Sequence, residues 1–236
     1  MGEKGIRIEH LSKRFGEGDT AVLALKDVNM RVLPGEVVGL VGPSGSGKST
    51  LLKCLGAVID PTSGRMALDG ETIYDNGWKV RDLRALRRDK IGFVFQAPYL
   101  IPFLDATDNV ALPPMLAGVP TGEARRRALE LLTALDVQHR ARAMPAQLSG
   151  GEQQRIAIAR GLVNRPPVIL ADEPTAPLDS QRAMAVIRIL NDMAKRFETA
   201  IIVVTHDEKI IPTFRRIYHI RDGATHEEAG EGRGFD

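Results

Sequence analysis

The N-terminal part of the chain, to about residue 95, alternates apolar and polar positions in short stretches. Ile6–Ile8 and Val28–Val32 both alternate with the period of a strand, which predicts half-buried antiparallel strands. Leu33–Glu36 contains a Pro-Gly pair and predicts a turn. The run that follows, Val37–Val41, is apolar throughout, which is typical of a strand buried on both faces.

Two later runs, Val168–Ala171 and Ala200–Val204, are also continuously apolar and of strand length. The stretch between them predicts a helix that carries Met184, Ile187, Ile189 and Leu190. Because strands that alternate with helices form parallel sheets, we expect an α/β fold with a mostly parallel sheet and an N-terminal antiparallel β subdomain.

The middle of the chain has a helical pattern instead. Thr107–Asn109 offers helix-starting residues, and Pro113-Pro114 predicts an interruption soon afterwards. Between Glu123 and Leu135, the side chains of Leu129, Leu132 and Leu135 are expected to share one helix face. The pattern predicts a helical subdomain inserted into the α/β core.

These patterns give domain boundaries. The core is expected over residues 1–95 and 161–226, and the helical subdomain over residues 97–160. Residues 227–236 are rich in Gly and Glu and are expected to form a frayed tail.

Composition excludes several classes of protein. The net charge is only +2, which is weak evidence for a nucleic-acid partner, and we expect none. The single cysteine, Cys54, excludes an internal disulfide framework and is expected to be a small buried hydrophobe. No apolar run approaches the ~18–20 residues that a membrane helix needs, and the N-terminus lacks an apolar signal core. We expect a cytoplasmic protein that contacts a membrane only through a partner.

The segment Gly42–Thr50 follows a buried strand and predicts a phosphate-binding loop that opens a helix. Its glycines allow backbone N–H groups to surround phosphate oxygens, and the helix N-terminus favours the same anion. Lys48 is expected to reach the β- and γ-phosphates, and the Ser49 hydroxyl to bind Mg²⁺. The expected phosphate contacts are Gly42, Pro43, Ser44, Gly45, Ser46, Gly47, Lys48, Ser49 and Thr50.

Two carboxylates end the apolar strand at Val168–Ala171. Asp172 is placed to hold Mg²⁺, and Glu173 to polarise an attacking water. Standing alone, the pair would be read as a solvated strand end, but behind a phosphate loop the catalytic interpretation is favoured.

A second glycine-rich element, Leu148–Gln154, lies about a hundred residues after the phosphate loop. Ser149 and Glu152 have the spacing of a capping box, which stabilises a helix start by roughly 1 kcal/mol. The cap leaves Gly150-Gly151 unexplained, because each glycine costs a helix up to about 1 kcal/mol relative to alanine. Close approach of an anion explains them better.

The order along the chain of phosphate loop, glutamine, signature, Asp-Glu pair and histidine resembles that of ATP-binding-cassette nucleotide-binding domains, and the resemblance spans nearly the whole chain. It implies a single ATP-binding domain over residues 1–236 with a P-loop NTPase core, bound ATP and Mg²⁺, and ATP hydrolysis. Leu148–Gln154 resembles the family's signature, which binds the ATP held by a second copy of the chain. The resemblance therefore implies a homodimer that encloses two ATP molecules.

Three more residues match positions of that family. Gln96 resembles the Q-loop glutamine, which contacts Mg²⁺ and water, and His206 resembles the switch histidine at the γ-phosphate. Either one alone would be read as a surface polar residue. Phe15 matches the A-loop aromatic, where most relatives have Tyr, and its ring is expected to stack on adenine, with core packing as the alternative.

Ala176–Asp179 resembles the D-loop, with Pro177 where a small residue is usual. Proline removes a backbone donor, so main-chain donation across the dimer is in doubt at this position. Asp179 is expected to cap the following helix in any case. The resemblance assigns catalysis to Lys48, Gln96, Glu173 and His206, Mg²⁺ binding to Ser49, Gln96 and Asp172, and contacts in trans to Ser149, Gly150, Gly151 and Asp179.

The runs around Gln96 and Asn109–Pro113 resemble ATPases of the lipoprotein-releasing, macrolide-export and heme- or glycolipid-export type. This implies an export or extraction ATPase on the inner face of the cell membrane, paired with an FtsX/MacB-like permease. We expect the apolar segment Ala97–Phe103 to help line the groove for the permease's coupling helix. A cell-division ATPase that transmits force without moving a substrate remains the alternative, and a soluble cassette ATPase of DNA repair or translation is a third possibility.

Overall fold

The structure is a computed structural model that describes residues 4–176 and 178–233, apart from the side chain of Asp19. Pro177, the departure within the segment that resembles the D-loop, lies outside the described residues. The first half of the chain forms β1 (Ile6–Phe15), β2 (Val22–Val32), β3 (Val37–Val41), α1 (Lys48–Leu55), β4 (Ser63–Leu68), β5 (Glu71–Asp75), α2 (Leu83–Lys90), β6 (Ile91–Val94) and α3 (Ala106–Leu116). The second half forms α4 (Thr121–Ala134), α5 (Gly150–Leu162), β7 (Val168–Asp172), α6 (Ser180–Phe197), β8 (Ala200–Val204), β9 (Arg216–Arg221) and β10 (Ala224–Ala229).

Two sheets form the core, as the sequence predicts. The strands of the larger sheet are ordered β10-β9-β3-β8-β7-β6. Every pair of adjacent strands is parallel except β9 and β10, which are antiparallel. The smaller sheet, β2-β1-β4-β5, is antiparallel, and Ile8 of β1 pairs with Met30 of β2. The α/β fold class with a mostly parallel sheet and an N-terminal antiparallel subdomain is confirmed.

The parallel strands are apolar throughout because both faces of the sheet are covered. Along β8, Ile201 packs in the cluster with α3 to α6, whereas Ile202 packs in the cluster with α1 and the smaller sheet. Burying each such side chain stabilises the fold by roughly 1.5–3 kcal/mol. A consequence for function is that the loops after β3, β6, β7 and β8 all leave the same edge of the sheet.

The helical subdomain exists, but two details of its prediction are wrong. Pro113 and Pro114 do not interrupt a helix; both lie inside α3, which begins after the N-cap Asp105 and continues to Leu116. The prolines fall in the last turns, where the backbone N–H of Ala117 still bonds to both proline carbonyls.

Leu129 does not share the buried face of α4 and is 38% exposed. Ala124, Ala128, Leu131 and Leu132 form that face instead. The leucine spacing was compatible with one stripe, but the small alanines allow α4 to pack closely and so set its rotation.

The tail prediction is also wrong in part, because β10 continues to Ala229 and pairs with β9. Asp222 and Gly223 connect the two strands with positive φ angles of 49° and 83°, as in a tight hairpin turn. Glu227 bonds to the Tyr218 hydroxyl at 2.7 Å and to Arg216 at 2.8 Å. Polar side chains therefore hold an edge strand that hydropathy alone does not reveal.

Across the two described ranges, none of the helices combines the length and the apolar character needed to cross a bilayer.

Candidate functional site

The loop between β3 and α1 requires glycine at two positions because it packs against other parts of the chain. Gly47 adopts φ 111° immediately before α1, and a Cβ there would lie 2.7 Å from the carbonyl oxygen of Ala24. At Gly42 a Cβ would lie 2.2 Å from the carbonyl oxygen of Ile220. Both positions exclude any side chain, so the loop backbone packs directly against the carbonyl groups of Ala24 and Ile220.

An open cleft of about 620 Å³ lies above this loop. The predicted residues that line it come from four loops at one edge of the sheet, and they are Gly42, Pro43, Ser44, Gly45, Gly47, Lys48, Ser49, Thr50, Gln96, Asp172, Glu173 and His206. Ser46 lies beneath the lining; its side chain is buried, and its hydroxyl has no partner among the described residues. The structure therefore brings together all the motifs assigned to one chain except Phe15.

Lys48 reaches across the loop. Its Nζ donates to the carbonyl oxygens of Gly42 at 2.7 Å and Pro43 at 2.8 Å. The ammonium is thus held at the mouth of the loop by neutral acceptors, where an anion would compete for it.

The two carboxylates after β7 have different surroundings. Burial and the neighbouring charge of Glu173 raise the pKa of Asp172, opposed by Lys48 and Lys53. Glu173 accepts a hydrogen bond at 2.6 Å on Oε1 from Nδ1 of His206. The Glu173 backbone adopts φ 49°, a left-handed conformation that is strained for a residue with a side chain and is often found at functional sites.

Several side chains that could bind a metal ion through oxygen line the cleft. The Ser49 hydroxyl, the Gln96 amide and the Asp172 carboxylate all line it, and oxygen ligands of this kind suit Mg²⁺. Among the described residues no cluster of three or more His, Cys, Asp or Glu side chains is arranged around a metal position.

Phe15 lies apart from this cleft. It ends β1, its ring is 43% exposed, and the ammonium of Lys13 lies 4.8 Å from the ring centre. The exposed ring does not support the alternative of core packing, and stacking on adenine stays a prediction. Ala24, on the neighbouring strand β2, does line the cleft; nothing in its residue type could have signalled this.

The second glycine element begins α5, and Ser149 and Glu152 form the predicted capping box. The backbone N–H of Ser149 is the main cause that lowers the pKa of Glu152. A Cβ on Gly150 would meet nothing within 4 Å, and one on Gly151 would meet only Arg182, at 3.6 Å. Within the part of the chain that the structure describes, no packing contact requires these two glycines.

The four residues predicted to act in trans are absent from the lining of the cleft of their own chain. Ser149, Gly150 and Gly151 start α5, and Asp179 caps α6 by accepting from the backbone N–H of Arg182 at 3.0 Å. The N-cap prediction for Asp179 is confirmed.

Comparison with known proteins points to one family. A sequence model of the family described as ABC transporter matches residues 25–176, more than half of the chain. The lipoprotein-releasing system ATP-binding protein LolD of Idiomarina loihiensis is 41% identical over 230 residues, which cover 98% of this chain and 100% of LolD. The macrolide export ATP-binding/permease protein MacB of Marinobacter nauticus is 43% identical over 225 residues, which cover 95% of this chain but only 34% of MacB.

Solved structures agree with the fold. The dimeric structure of a post-hydrolysis state of the ATP-binding cassette MJ0796, bound to ADP and Pi, matches with a TM-score of 0.82 at 40% identity. The match covers 98% of this chain and 100% of that one. A second dimeric structure of MJ0796 matches with the same TM-score at 41% identity.

Proposed function

This chain belongs to the ABC transporter family and is an ATPase, and from that premise we propose that it is the ATP-hydrolysing subunit of a membrane export or extraction complex. Two copies would enclose two Mg-ATP molecules and drive a separate permease. The observation that carries the proposal is the open first turn of α5, where no contact with another described residue requires either glycine. An anion bound to a second copy gives them a purpose.

Within one cleft, different residues would bind the phosphates, the attacking water and Mg²⁺. Loop N–H groups and Lys48 hold the phosphates, so the Lys48 ammonium must exchange its two carbonyl partners for phosphate oxygens. Glu173 polarises the attacking water through its carboxylate, which His206 orients by bonding to Oε1. Bound Mg²⁺, held by Ser49, Gln96 and Asp172, would supply charge neutralisation of the phosphates.

The dimer would complete each cleft with groups that its own chain places elsewhere. Ser149, Gly150, Gly151 and Asp179 of the second copy would meet the ATP held by the first. Two comparisons support this arrangement, because the MJ0796 cassette is dimeric in both of its matched structures.

An apolar surface beside the cleft fits the permease. Phe95, Tyr99, Phe103 and Leu116 are 41%, 69%, 78% and 73% exposed. Phe95 and Leu116 line a groove of about 440 Å³ between α2, α3 and the end of α5. Exposed apolar side chains at this density mark an interaction surface. We assign the groove and its rim to the permease's coupling helix, which would place the chain on the inner face of the cell membrane.

Replacing both Tyr99 and Phe103 with serine tests the docking surface. We expect transport in cells, and stimulation of ATP hydrolysis by the copurified permease, to be lost, because two large apolar contacts disappear. Basal hydrolysis by the isolated chain should be unchanged, since neither side chain lines the ATP cleft.

A matched control replaces Val58 and Leu129 with serine; both are exposed, at 59% and 38%, and they lie after α1 and on α4, away from residues 95–103 in the chain. Transport should then be normal. Normal transport by the Tyr99→Ser/Phe103→Ser variant would contradict the assignment of this surface.

A further inference from the structure

Two side chains of α5 hold the segment that contains Gln96. Gln154 Nε2 donates to the carbonyl oxygen of Phe95 at 3.3 Å. Arg160 donates to the carbonyl oxygens of Pro98 at 2.6 Å and Tyr99 at 2.7 Å. We call residues 95–99 the Gln96 segment. It is therefore fastened on both sides of Gln96 to the helix whose first turn carries Gly150 and Gly151.

Arg160 is suited to this task by its geometry. Its two terminal nitrogens bond to two successive carbonyls, an arrangement that a lysine ammonium, as a single point, does not reproduce. Burial lowers the pKa of the Arg160 guanidinium, so the side chain carries a desolvation cost. No carboxylate bonds to it among the described residues, and both carbonyl bonds are the charge-assisted kind, which are stronger than neutral ones.

The backbone that Arg160 holds is strained. Tyr99 adopts φ 44°, which is uncommon for a bulky residue and persists only where neighbours fix it. The two carbonyls that accept from Arg160 belong to the peptide groups on either side of the Tyr99 Cα. Arg160 thus holds both peptide planes that define this conformation.

Gln154 supports the same interpretation from a buried position. Its side chain is 0% exposed, and its Oε1 has no hydrogen-bond partner among the described residues. A half-satisfied buried amide is costly compared with an apolar side chain of similar size. What the Gln154 amide adds over an apolar side chain is its hydrogen bond to the carbonyl oxygen of Phe95.

We propose that Arg160, assisted by Gln154, is a positioning residue for Gln96. It ties the Gln96 segment to α5 and so fixes where Gln96 lies relative to the helix whose first turn carries the signature glycines. Because it assigns a consequence to the roles of Gln96 and Gly150-Gly151, this inference rests on the proposed function. Arg160 itself does not line the cleft and touches no phosphate position.

The test compares Arg160→Lys with Arg155→Lys. Arg155 lies on the same helix, but its contacts are with Asp136, at 3.5 Å to the carbonyl and 3.9 Å to Oδ2. In the nucleotide-free chain, we expect Arg160→Lys to speed chymotrypsin cleavage after Phe95 and Tyr99 by roughly tenfold, the loss expected for a charge-assisted hydrogen bond. Cleavage at other sites in the chain should not change, and Arg155→Lys should change neither.

Kinetics separate positioning from simple structural support. For Arg160→Lys we expect kcat for ATP hydrolysis to fall about tenfold or more, because a displaced Gln96 is poorly placed for the reaction. The Kd for ATP should be unchanged, since the phosphate loop is untouched. Gln154→Leu, which keeps the packing but removes the amide, should show the same pattern in a weaker form.

Unchanged cleavage after Phe95 and Tyr99 in Arg160→Lys would overturn the proposal, and so would faster cleavage with a normal kcat. Failure of the unaltered chain to hydrolyse ATP would count against the proposed function instead. The cleavage comparison needs no nucleotide, and it would still decide whether Arg160 holds the segment.

Discussion

At the scale of single residues, the surroundings of Asp172 favour a bound ligand and lower the stability of the nucleotide-free chain. Its carboxylate is partly buried beside Glu173, and both effects raise its pKa. The folded chain therefore binds this proton more tightly than the unfolded chain does. The corresponding contribution to the free energy of unfolding is present below the ordinary pKa of Asp and is lost as the pH rises through the raised pKa. At neutral pH the ionised group destabilises the empty protein.

Replacing Asp172 with asparagine should consequently raise the free energy of unfolding of the nucleotide-free chain at neutral pH. The gain should shrink as the pH falls toward the ordinary value of 3.8. ATP hydrolysis should drop by roughly a hundredfold or more, because a ligand for Mg²⁺ is lost. Urea unfolding at about pH 7.5 and about pH 4, together with a phosphate-release assay, measures both effects.

Asp179→Asn is the matched control for this prediction. Asn caps a helix as well as Asp does, so its stability should not show the same pH-dependent gain. An equal gain for Asp172→Asn at both pH values, or no gain, would contradict the electrostatic explanation.

At the scale of elements, α5 joins a structural cap to an open anion site. Ser149 and Glu152 stabilise the helix start through mutual hydrogen bonds, as they would in any protein. Gly150 and Gly151 add flexibility at that start without relieving any clash. Because these glycines lower the stability of the helix in the isolated chain, they indicate a contact with a group outside the chain.

The double variant Gly150→Ala/Gly151→Ala should therefore fold at least as stably as the unaltered chain. The added methyl groups fit, and alanine favours a helix by up to about 1 kcal/mol per site. ATP hydrolysis should nonetheless fall steeply, because the methyl groups would occupy the space needed by the ATP that the other copy holds. Urea unfolding and steady-state ATPase rates give the two readouts.

Gly42→Ala provides the contrast, since its Cβ would lie 2.2 Å from the carbonyl oxygen of Ile220. That variant should lose stability as well as activity. A destabilised Gly150→Ala/Gly151→Ala variant would show that the signature glycines serve the chain's own fold.

Some elements of the fold were predictable from the sequence, and others were not. Strands such as β3, β7 and β8 were predictable because burial on both faces leaves a continuous apolar run. The rotation of α4 was not, since it depends on how closely Ala124 and Ala128 approach their neighbours. The β9–β10 hairpin had a local signal in Asp222-Gly223, which the polar composition of the last strand obscured.

For the whole molecule, the parallel sheet explains how distant motifs form one site. Lys48, Gln96, Glu173 and His206 follow β3, β6, β7 and β8, and these strands end at a shared edge. The motifs and their common edge were predictable, because each lies directly after a recognisable strand. The bonds from Arg160 and Gln154 to the Gln96 segment were not, since they join residues about 60 positions apart through backbone carbonyls.

The central claim is that one chain supplies only part of each ATP site. Glu173→Gln should bind ATP without turning it over, and so should accumulate as a dimer. Light scattering during size-exclusion chromatography measures the molar mass directly. We expect a dimer with Mg-ATP and a monomer without nucleotide.

Adding Gly150→Ala/Gly151→Ala to the Glu173→Gln chain should return it to a monomer with Mg-ATP present. If instead Glu173→Gln stays monomeric at saturating Mg-ATP, the account of a shared site is contradicted.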